Sequence, residues 1–543
     1  MSAAAQGPAA AAPSAWTPLR RALFRSIWIA SLASNVGTWM QNVGAAWLMT
    51  SLAPTPLFVS LVQAASNLPF FLLALPAGAL ADVFDRRRIV LAAQLWLFAS
   101  AAALGALALA GAVDPAALLW LTFAIGAGSA VTAPAFAAIV PELVSHDEIA
   151  PAVSLNGISM NLARAVGPAL GGLVVGASGA GATFLLNAAS FLAVFAALKR
   201  WKRPPREGPL PPEDLLGAMR AGLRYVRHSA MLRTVIVRTG AFVLPASVLW
   251  ALLPLYAKAE LGLGAAGYGL LLGCFGVGAV LAGVLLPAAR GKLGVERLAT
   301  GAALAFAIAS AGLGAIPDLA PPAALIAAAC AALFLAGGAW LSLLSTLSAA
   351  AQVAVPSWVR ARASAAYLLV LFGALAAGSA LFGALASGFG VPHSFEIAAV
   401  AIAVGRVATG RRRLEDGDGP DLTPAPRWPD PELVAAVEAQ RGPVLVTVEY
   451  EIDPADAEPF ARAMRALREI RLRDGALRWG LWADAAQPGR HLESFVVESW
   501  VEHLRQHERA TAADRALQAL AIAYHRGAGP PRVTHFVHER MPL

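Results

Sequence analysis

Gly78-Ala79-Leu80-Ala81-Asp82-Val83-Phe84-Asp85-Arg86-Arg87-Arg88 joins two apolar blocks, residues 57–80 and 89–111. Each block is long enough to cross, as a helix, a hydrocarbon core about 30 Å thick. Three consecutive arginines cannot enter hydrocarbon cheaply, so the junction lies at a water-facing membrane surface. Gly78 gives room for a neighbouring helix to approach closely. Asp82 and Arg86 sit four apart at a helix end, where the carboxylate can bond backbone donors or the arginine, with Arg87 beside it, and latch one conformation. A cluster that only sets topology would explain the arginines but not Gly78 and Asp82.

The same pattern repeats outward from this turn. Apolar spans are expected at 23–50, 57–80, 89–111, 116–140, 152–176, 180–198, 234–256, 265–289, 297–316, 321–350, 362–387 and 393–410. With 58% hydrophobic and 14% charged residues and a mean hydropathy of +0.61, a wholly soluble protein of this length is excluded. Basic residues alternate between loops: Arg20, Arg21 and Arg25, then Arg86 to Arg88, then 199–238, then Arg290, Lys292, Arg297, Arg360, Arg362 and Arg411 to Arg413. The intervening loops hold almost none, Lys258 being the exception. The positive-inside rule therefore puts both termini in the cytoplasm of a multi-pass protein of a bacterial inner membrane. The first residues lack the apolar core of a cleaved signal peptide. Beyond Val444 the chain carries 13 Lys/Arg against 14 Asp/Glu, so the net charge of +8 belongs to the membrane part and argues against nucleic acid as a partner. Cys274 and Cys330 lie inside spans and read as packing residues.

The fold class expected is an all-α polytopic membrane protein, twelve transmembrane helices in two six-helix bundles, with a small α+β ferredoxin-like domain at the C-terminus. Its parts are a cytoplasmic tail (1–22), an N-terminal bundle (23–198), a connector (199–233), a C-terminal bundle (234–410), a linker (411–443) and the ferredoxin-like domain (444–543). Two such bundles place a substrate site between them near the bilayer midplane. In the connector, Arg220, Arg224 and Arg227 share one side of a helix over 215–227, which suits an anionic lipid surface. In the C-terminal domain the hydrophobic period gives strand, helix, strand, strand, helix, strand over 444–452, 456–473, 476–483, 491–500, 501–524 and 532–539.

The fifth span carries Asn156, Asn161, Arg164, Gly167, Pro168, Gly171 and Gly172 within a broad arc of one helix face. Small residues permit tight packing, and the proline removes a backbone donor and bends the helix. Arg164 lies near mid-span, where an arginine costs roughly 2.5–3.5 kcal/mol. Two readings stand: a cation that binds an anionic or phenolic substrate or takes part in gating, or an arginine held by carbonyls and asparagines. Asn35, Trp39 and Asn42 share a face of the first helix, and Gln63 and Asn67 one of the second. As a set they favour a wet substrate cavity, although each could hydrogen-bond between helices.

The quoted turn, Gly167-Pro168-x-x-Gly171-Gly172 and the C-terminal segment together resemble the enterobactin-exporter-like branch of the major facilitator superfamily, the transmembrane secretion effectors. Where the family has a second glycine in the turn, this chain has Asp85. The repeat of the turn after the eighth span keeps Gly283, Arg290 and Lys292 without an aspartate. The resemblance implies alternating access, driven by an ion gradient and probed first as proton-driven, with export of siderophores, drugs or secondary metabolites. The C-terminal domain resembles the dimeric α/β-barrel group that includes antibiotic-biosynthesis monooxygenases, which implies homodimerisation as an expectation. His503 and His507, four apart on a helix, have the spacing of a two-histidine metal site, but no third ligand completes it, and no cofactor is implied. Competing readings are a bifunctional protein whose C-terminal domain oxidises the transported compound, an importer of a small metabolite, and a receptor or scaffold without flux.

Overall fold

The computed structural model describes residues 16–53, 55–201, 215–319, 321, 323–356, 358–414, 421–423, 425, 438 and 440–539. Residues 202–214 of the connector and most of the expected linker lie outside the described residues. The first six long helices are α1 (Ala22–Leu52), α2 (Pro56–Val83), α3 (Arg86–Leu109), α4 (Pro115–Ile139), α5 (Ile149–Ser178) and α6 (Ala180–Lys199). A shorter helix, α7 (Leu215–His228), precedes six more: α8 (Ala230–Ala259), α9 (Ala265–Leu293), α10 (Val295–Leu319), α11 (Leu325–Val353), α12 (Arg360–Phe389) and α13 (Val391–Ala408). Eleven of these are long and apolar enough to cross a membrane. α1, at 31 residues, is long enough but more polar, carrying Arg25, Asn35, Gln41 and Asn42. The tenth expected span, 321–350, starts later than its apolar run, at Leu325, just after Pro321, whose missing N–H and fixed φ suit a position ahead of a helix rather than in its interior.

Helix ends follow local chemistry. Asp85 caps α3, its carboxylate accepting from Arg88 N at 2.9 Å, and Asp114 caps α4 through Ala117 N at 2.7 Å. The residue that replaces a glycine in the turn thus starts the next helix. Gly179, Gly294 and Gly390 take positive φ between consecutive helices, a conformation that costs residues with a Cβ. Within the bundles α1 packs on α5 and α6, α2 on α4, α3 on α4 and α6, and α10 on α13, while α5 packs on α9 across the two halves. Large apolar side chains such as Leu173, Val284, Ile308 and Val404 point outward and stay exposed. Such a surface is unfavourable in water and suited to acyl chains.

The C-terminal domain runs β1 (Val444–Glu451), α14 (Ala457–Asp474), β2 (Ala476–Ala483), β3 (Arg490–Val497), α15 (Trp500–Arg509), α16 (Ala512–Ile522) and β4 (Arg532–Val537). Its sheet has the order β2-β3-β1-β4, antiparallel throughout, with Val448 opposite Glu493 and Val533. This is the ferredoxin-like order. The single helix expected over 501–524 is two, because Thr511 starts α16 with a capping box that it shares with Asp514.

The chain divides into two compact units. One takes Met1–Pro212, Arg238–Thr346 and Leu368–Arg411, and the other takes Glu213–Val237, Leu347–Tyr367 and Arg412–Leu543. The second unit therefore joins the C-terminal domain to α7 and to the turn between α11 and α12. Two of the three arginines on that side of α7 meet carboxylates of this domain, while Arg227 stays exposed. Arg224 pairs with Glu502 at 3.1 Å and Arg220 with Glu498 at 3.6 Å.

Candidate functional site

Arg164 stands in the middle of α5, a helix of 30 residues. Pro168 has no N–H and cannot bond the Arg164 carbonyl from within the helix, yet α5 runs through it as one helix. The Arg164 guanidinium lies 5.8 Å from the centroid of the Trp39 ring on α1. Among the described residues no carboxylate pairs with it and no asparagine bonds it; its described interaction is with that ring. Trp39 lies 5.9 Å from Trp250 of α8, and Trp250 lies 5.9 Å from Trp340 of α11 and 5.0 Å from Phe275 of α9. Phe242 and Phe306 complete the group around Trp340. A cation on one half therefore continues into an aromatic wall on the other, a combination that attracts anions and flat rings.

The other expected cavity residues separate. Asn35 donates to Ser159 Oγ at 3.2 Å, an α1–α5 bond. Asn67 is buried and donates to the Gln63 carbonyl of its own helix at 2.7 Å. Asn42, Gln63 and Asn156 are half-buried and Asn161 is exposed. The structure brings Trp39 to Arg164 and does not gather these amides around the pair. A buried amide pair that the sequence did not single out, Asn187 to Gln41 at 2.7 Å, ties α6 to α1.

The glycines of α5 face two neighbours. A Cβ on Gly167 would lie 2.5 Å from Trp39 Cβ, and one on Gly171 2.8 Å from Met40 Cα, both on α1. One on Gly172 would lie 2.7 Å from Gly269 Cα on α9. The single face expected is thus split, since adjacent residues point about 100° apart on a helix.

At the opposite end, Arg86 bonds Glu142 at 3.2 Å, and Arg87 bonds the carbonyls of Leu198 and Lys199 at 3.3 and 2.9 Å. Asp82 lies in the last turn of α2, and its side chain is outside what the structure describes. A Cβ on Gly78 would meet nothing within 4 Å among the described residues. In the second half the degenerate turn is replaced by a triad. Arg238 forks onto Glu296 at 2.7 and 2.8 Å, and Arg406 meets Glu296 at 2.6 Å. Arg238, Glu296 and Arg406 were legible only as isolated charges at the ends of apolar spans.

In the C-terminal domain His503 and His507 meet edge to face on α15 with ring centroids 4.8 Å apart, and β4 brings His535 to 4.7 Å from His503. His503 is fully buried, and its imidazole is pushed down to about 3 by burial first and then by the neighbouring histidines. Among the described residues no group of three His, Cys, Asp or Glu is placed to hold a metal ion. Arg471 and Glu493 form a buried ion pair at 2.9 Å, with Trp479 Nε1 donating to Glu493 at 3.0 Å and the Tyr450 hydroxyl at 3.3 Å. Burial pushes the Glu493 carboxyl up, but the Arg471 charge and these bonds hold it below the usual range.

Two six-helix bundles meeting across a packed aromatic group define a polytopic helical membrane fold. Solved structures agree: a bacterial homologue of the human lysosomal transporter Spinster, inward-facing, matches with a TM-score of 0.57 at 14% identity over 73% of this chain and 98% of that one. A bacterial homologue of the iron transporter ferroportin, also inward-facing, matches with a TM-score of 0.58 over 72% and 98% at 14% identity. The family model for transmembrane secretion effectors matches residues 13–542, and the chain belongs to that family of the major facilitator superfamily. Curated relatives include the Staphyloferrin A transporter of Staphylococcus aureus, 28% identical over 30% of this chain and 42% of the relative. The multidrug efflux pump Tap of Mycolicibacterium fortuitum is 28% identical over 43% of this chain and 60% of its own length. The chain spans about half the length of these two relatives.

Proposed function

We propose that the protein is a secondary active transporter that exports small amphiphilic molecules by alternating access, with Arg164 as the cation of its central site. The observation that carries this is the Arg164 guanidinium at mid-helix, without a carboxylate partner among the described residues, against Trp39 and the aromatic group that continues into the second half. A charge left unneutralised at that depth costs insertion energy, and an anionic cargo offsets the cost when it binds. Gly78, Asp82, Arg86 and Arg87, now with Glu142, form the latch at the cytoplasmic end in this reading, and Gly167, Pro168, Gly171 and Gly172 let α5 move against α1 and α9. Both termini are cytoplasmic, in the plasma membrane of a bacterium, and the proton gradient drives transport. The cargo belongs with the siderophores and drugs carried by the named relatives.

The C-terminal domain serves in this reading as a noncatalytic module, a view supported by the engagement of its α15 with α7 through Glu502 and Arg224. Homodimerisation through its sheet belongs to the same proposal.

Efflux from cells expressing wild type, Arg164→Ala or Arg164→Lys at matched membrane abundance tests the main claim. The panel is fluorescent amphiphiles and catecholate siderophores, with and without a protonophore. Efflux should vanish in Arg164→Ala, survive in part in Arg164→Lys and collapse with the gradient. Full efflux of anionic compounds by Arg164→Ala would remove Arg164 from the site, and uptake in place of efflux would make the protein an importer.

A further inference from the structure

Lys258 is one of four lysines in the sequence and stands out of place among loops that otherwise avoid basic residues. It lies in the last turn of α8, in the second half, and reaches across to the first. Its Nζ donates to the Thr50 carbonyl at 2.9 Å, to Thr50 Oγ1 at 3.3 Å and to Ser51 Oγ at 3.2 Å. Thr50 lies within the last four residues of α1, whose carbonyls lack helical donors. An ammonium there also meets the negative end of the helix dipole. It lies 5.8 Å from the Trp47 ring, which stacks on Tyr268 of α9 at 6.1 Å.

Other contacts between the halves run from this end to the middle of the helices, where Trp39 meets Trp250 and Phe70 meets Phe372. Gly172 of α5 lies against Gly269 of α9, and a Cβ on Gly176 would sit 3.8 Å from Ala266 Cβ. Gly383 of α12 meets Ser60 and Leu57 at the start of α2. The charge networks at the other end each stay within one half: Arg86 with Glu142, and Arg238 and Arg406 with Glu296. The Lys258 end is therefore zipped between halves.

We infer that Lys258 is a gating residue: its ammonium, seated on the C-terminus of α1, is the polar tie that holds the outer face shut. It must release each time the site at Arg164 opens to that face. This rests on the alternating-access reading, and its test needs no cargo.

The test uses the full chain with Cys274→Ala and Cys330→Ala, and Gly176→Cys with Ala266→Cys as reporters. A Cβ separation of 3.8 Å suits a disulfide, and both positions are exposed. Oxidation in membranes should cross-link this parent rapidly. Adding Lys258→Met should slow the reaction at least about fivefold, the scale of losing one charged hydrogen bond, while Lys258→Arg should stay within about twofold of the parent. Rates are compared for protein that elutes like wild type in detergent. Cross-linking of Lys258→Met as fast as the parent, equal slowing in Lys258→Arg, or no cross-link in the parent would each overturn the inference. A lack of efflux with any cargo would undo the exporter reading and leave these rates unchanged.

Discussion

A guanidinium at the middle of a membrane helix and a carboxylate in the core of a small α+β domain face the same penalty, loss of water around a charge. The protein answers it in two ways. Glu493 is fully buried and is met by Arg471, Trp479 and Tyr450, whereas Arg164 is met by an aromatic face. The first arrangement pairs the charge with its opposite, and the second sets it against a ring. Removing one partner of the buried pair, as in Arg471→Met, should destabilise the domain by about 3–5 kcal/mol, read as faster hydrogen exchange over 444–537 in the full chain. The pH dependence follows from the same pair and from His503. Glu493 titrates lower folded than unfolded, so its stabilisation is present above the ordinary carboxylate range and is lost as pH falls below it. His503 is held to about 3 against an ordinary 6.5, so the unfolded chain takes up its proton first and stability drops as pH falls from about 6.5 toward 3. Amide protection in the domain, taken relative to the intrinsic exchange rate at each pH, should therefore fall on acidification, and His503→Phe should flatten the upper part of that profile. An unchanged profile would mean that His503 does not control it.

At the scale of elements, the glycine contacts and the connector pairs carry the testable content. Gly172→Ala places a Cβ against the Gly269 backbone, which cannot move aside as a side chain can. A loss of about 1–3 kcal/mol is expected from such overpacking, measured as a lower midpoint of thermal unfolding in detergent, while Gly312→Ala, with nothing near it, should leave the midpoint in place. Arg224→Glu should free α7 from α15 and raise hydrogen exchange in both, and Arg224→Glu with Glu502→Arg should restore part of the protection. The rescue is incomplete because Arg509 also bonds Glu502, at 2.6 Å. The long helices α1 to α6 and α8 to α13 were legible to within a few residues because a membrane helix must satisfy its own backbone and present an apolar surface, and both demands are written in consecutive residues. The break between α15 and α16 was legible too, in Thr511 and Asp514, but the continuous helical period across it hides the stop. The environment of α7 was not: a row of arginines suits lipid phosphates and carboxylates equally, and only tertiary packing supplies Glu498 and Glu502.

For the whole molecule, the central expectation is that an ion gradient moves a cargo past Arg164. Membrane vesicles loaded with an anionic fluorescent amphiphile should lose about tenfold in apparent affinity on Arg164→Gln, the worth of one charge-assisted contact. Neutral amphiphiles should be affected far less, and equal losses for both would assign Arg164 to structure. Twelve long helices, their division into halves by a basic connector and the small domain behind them are fixed by the linear sequence, because hydrophobic run length and loop charge act locally along the chain. So was the candidacy of Arg164, since an arginine inside an apolar run is conspicuous wherever the run lies. Which side chains meet it was decided by tertiary structure alone. Trp39 is 125 residues from Arg164, and Trp250 and Trp340 belong to the other half, so no periodicity links them. The amides at Asn35 and Asn67 share helix faces with cavity residues, yet they spend their hydrogen bonds on Ser159 and a backbone carbonyl because those acceptors are closer. Lys258 shows the same division: its charge breaks the loop pattern in the sequence, and the α1 carbonyl that explains it exists only once two halves of the fold meet.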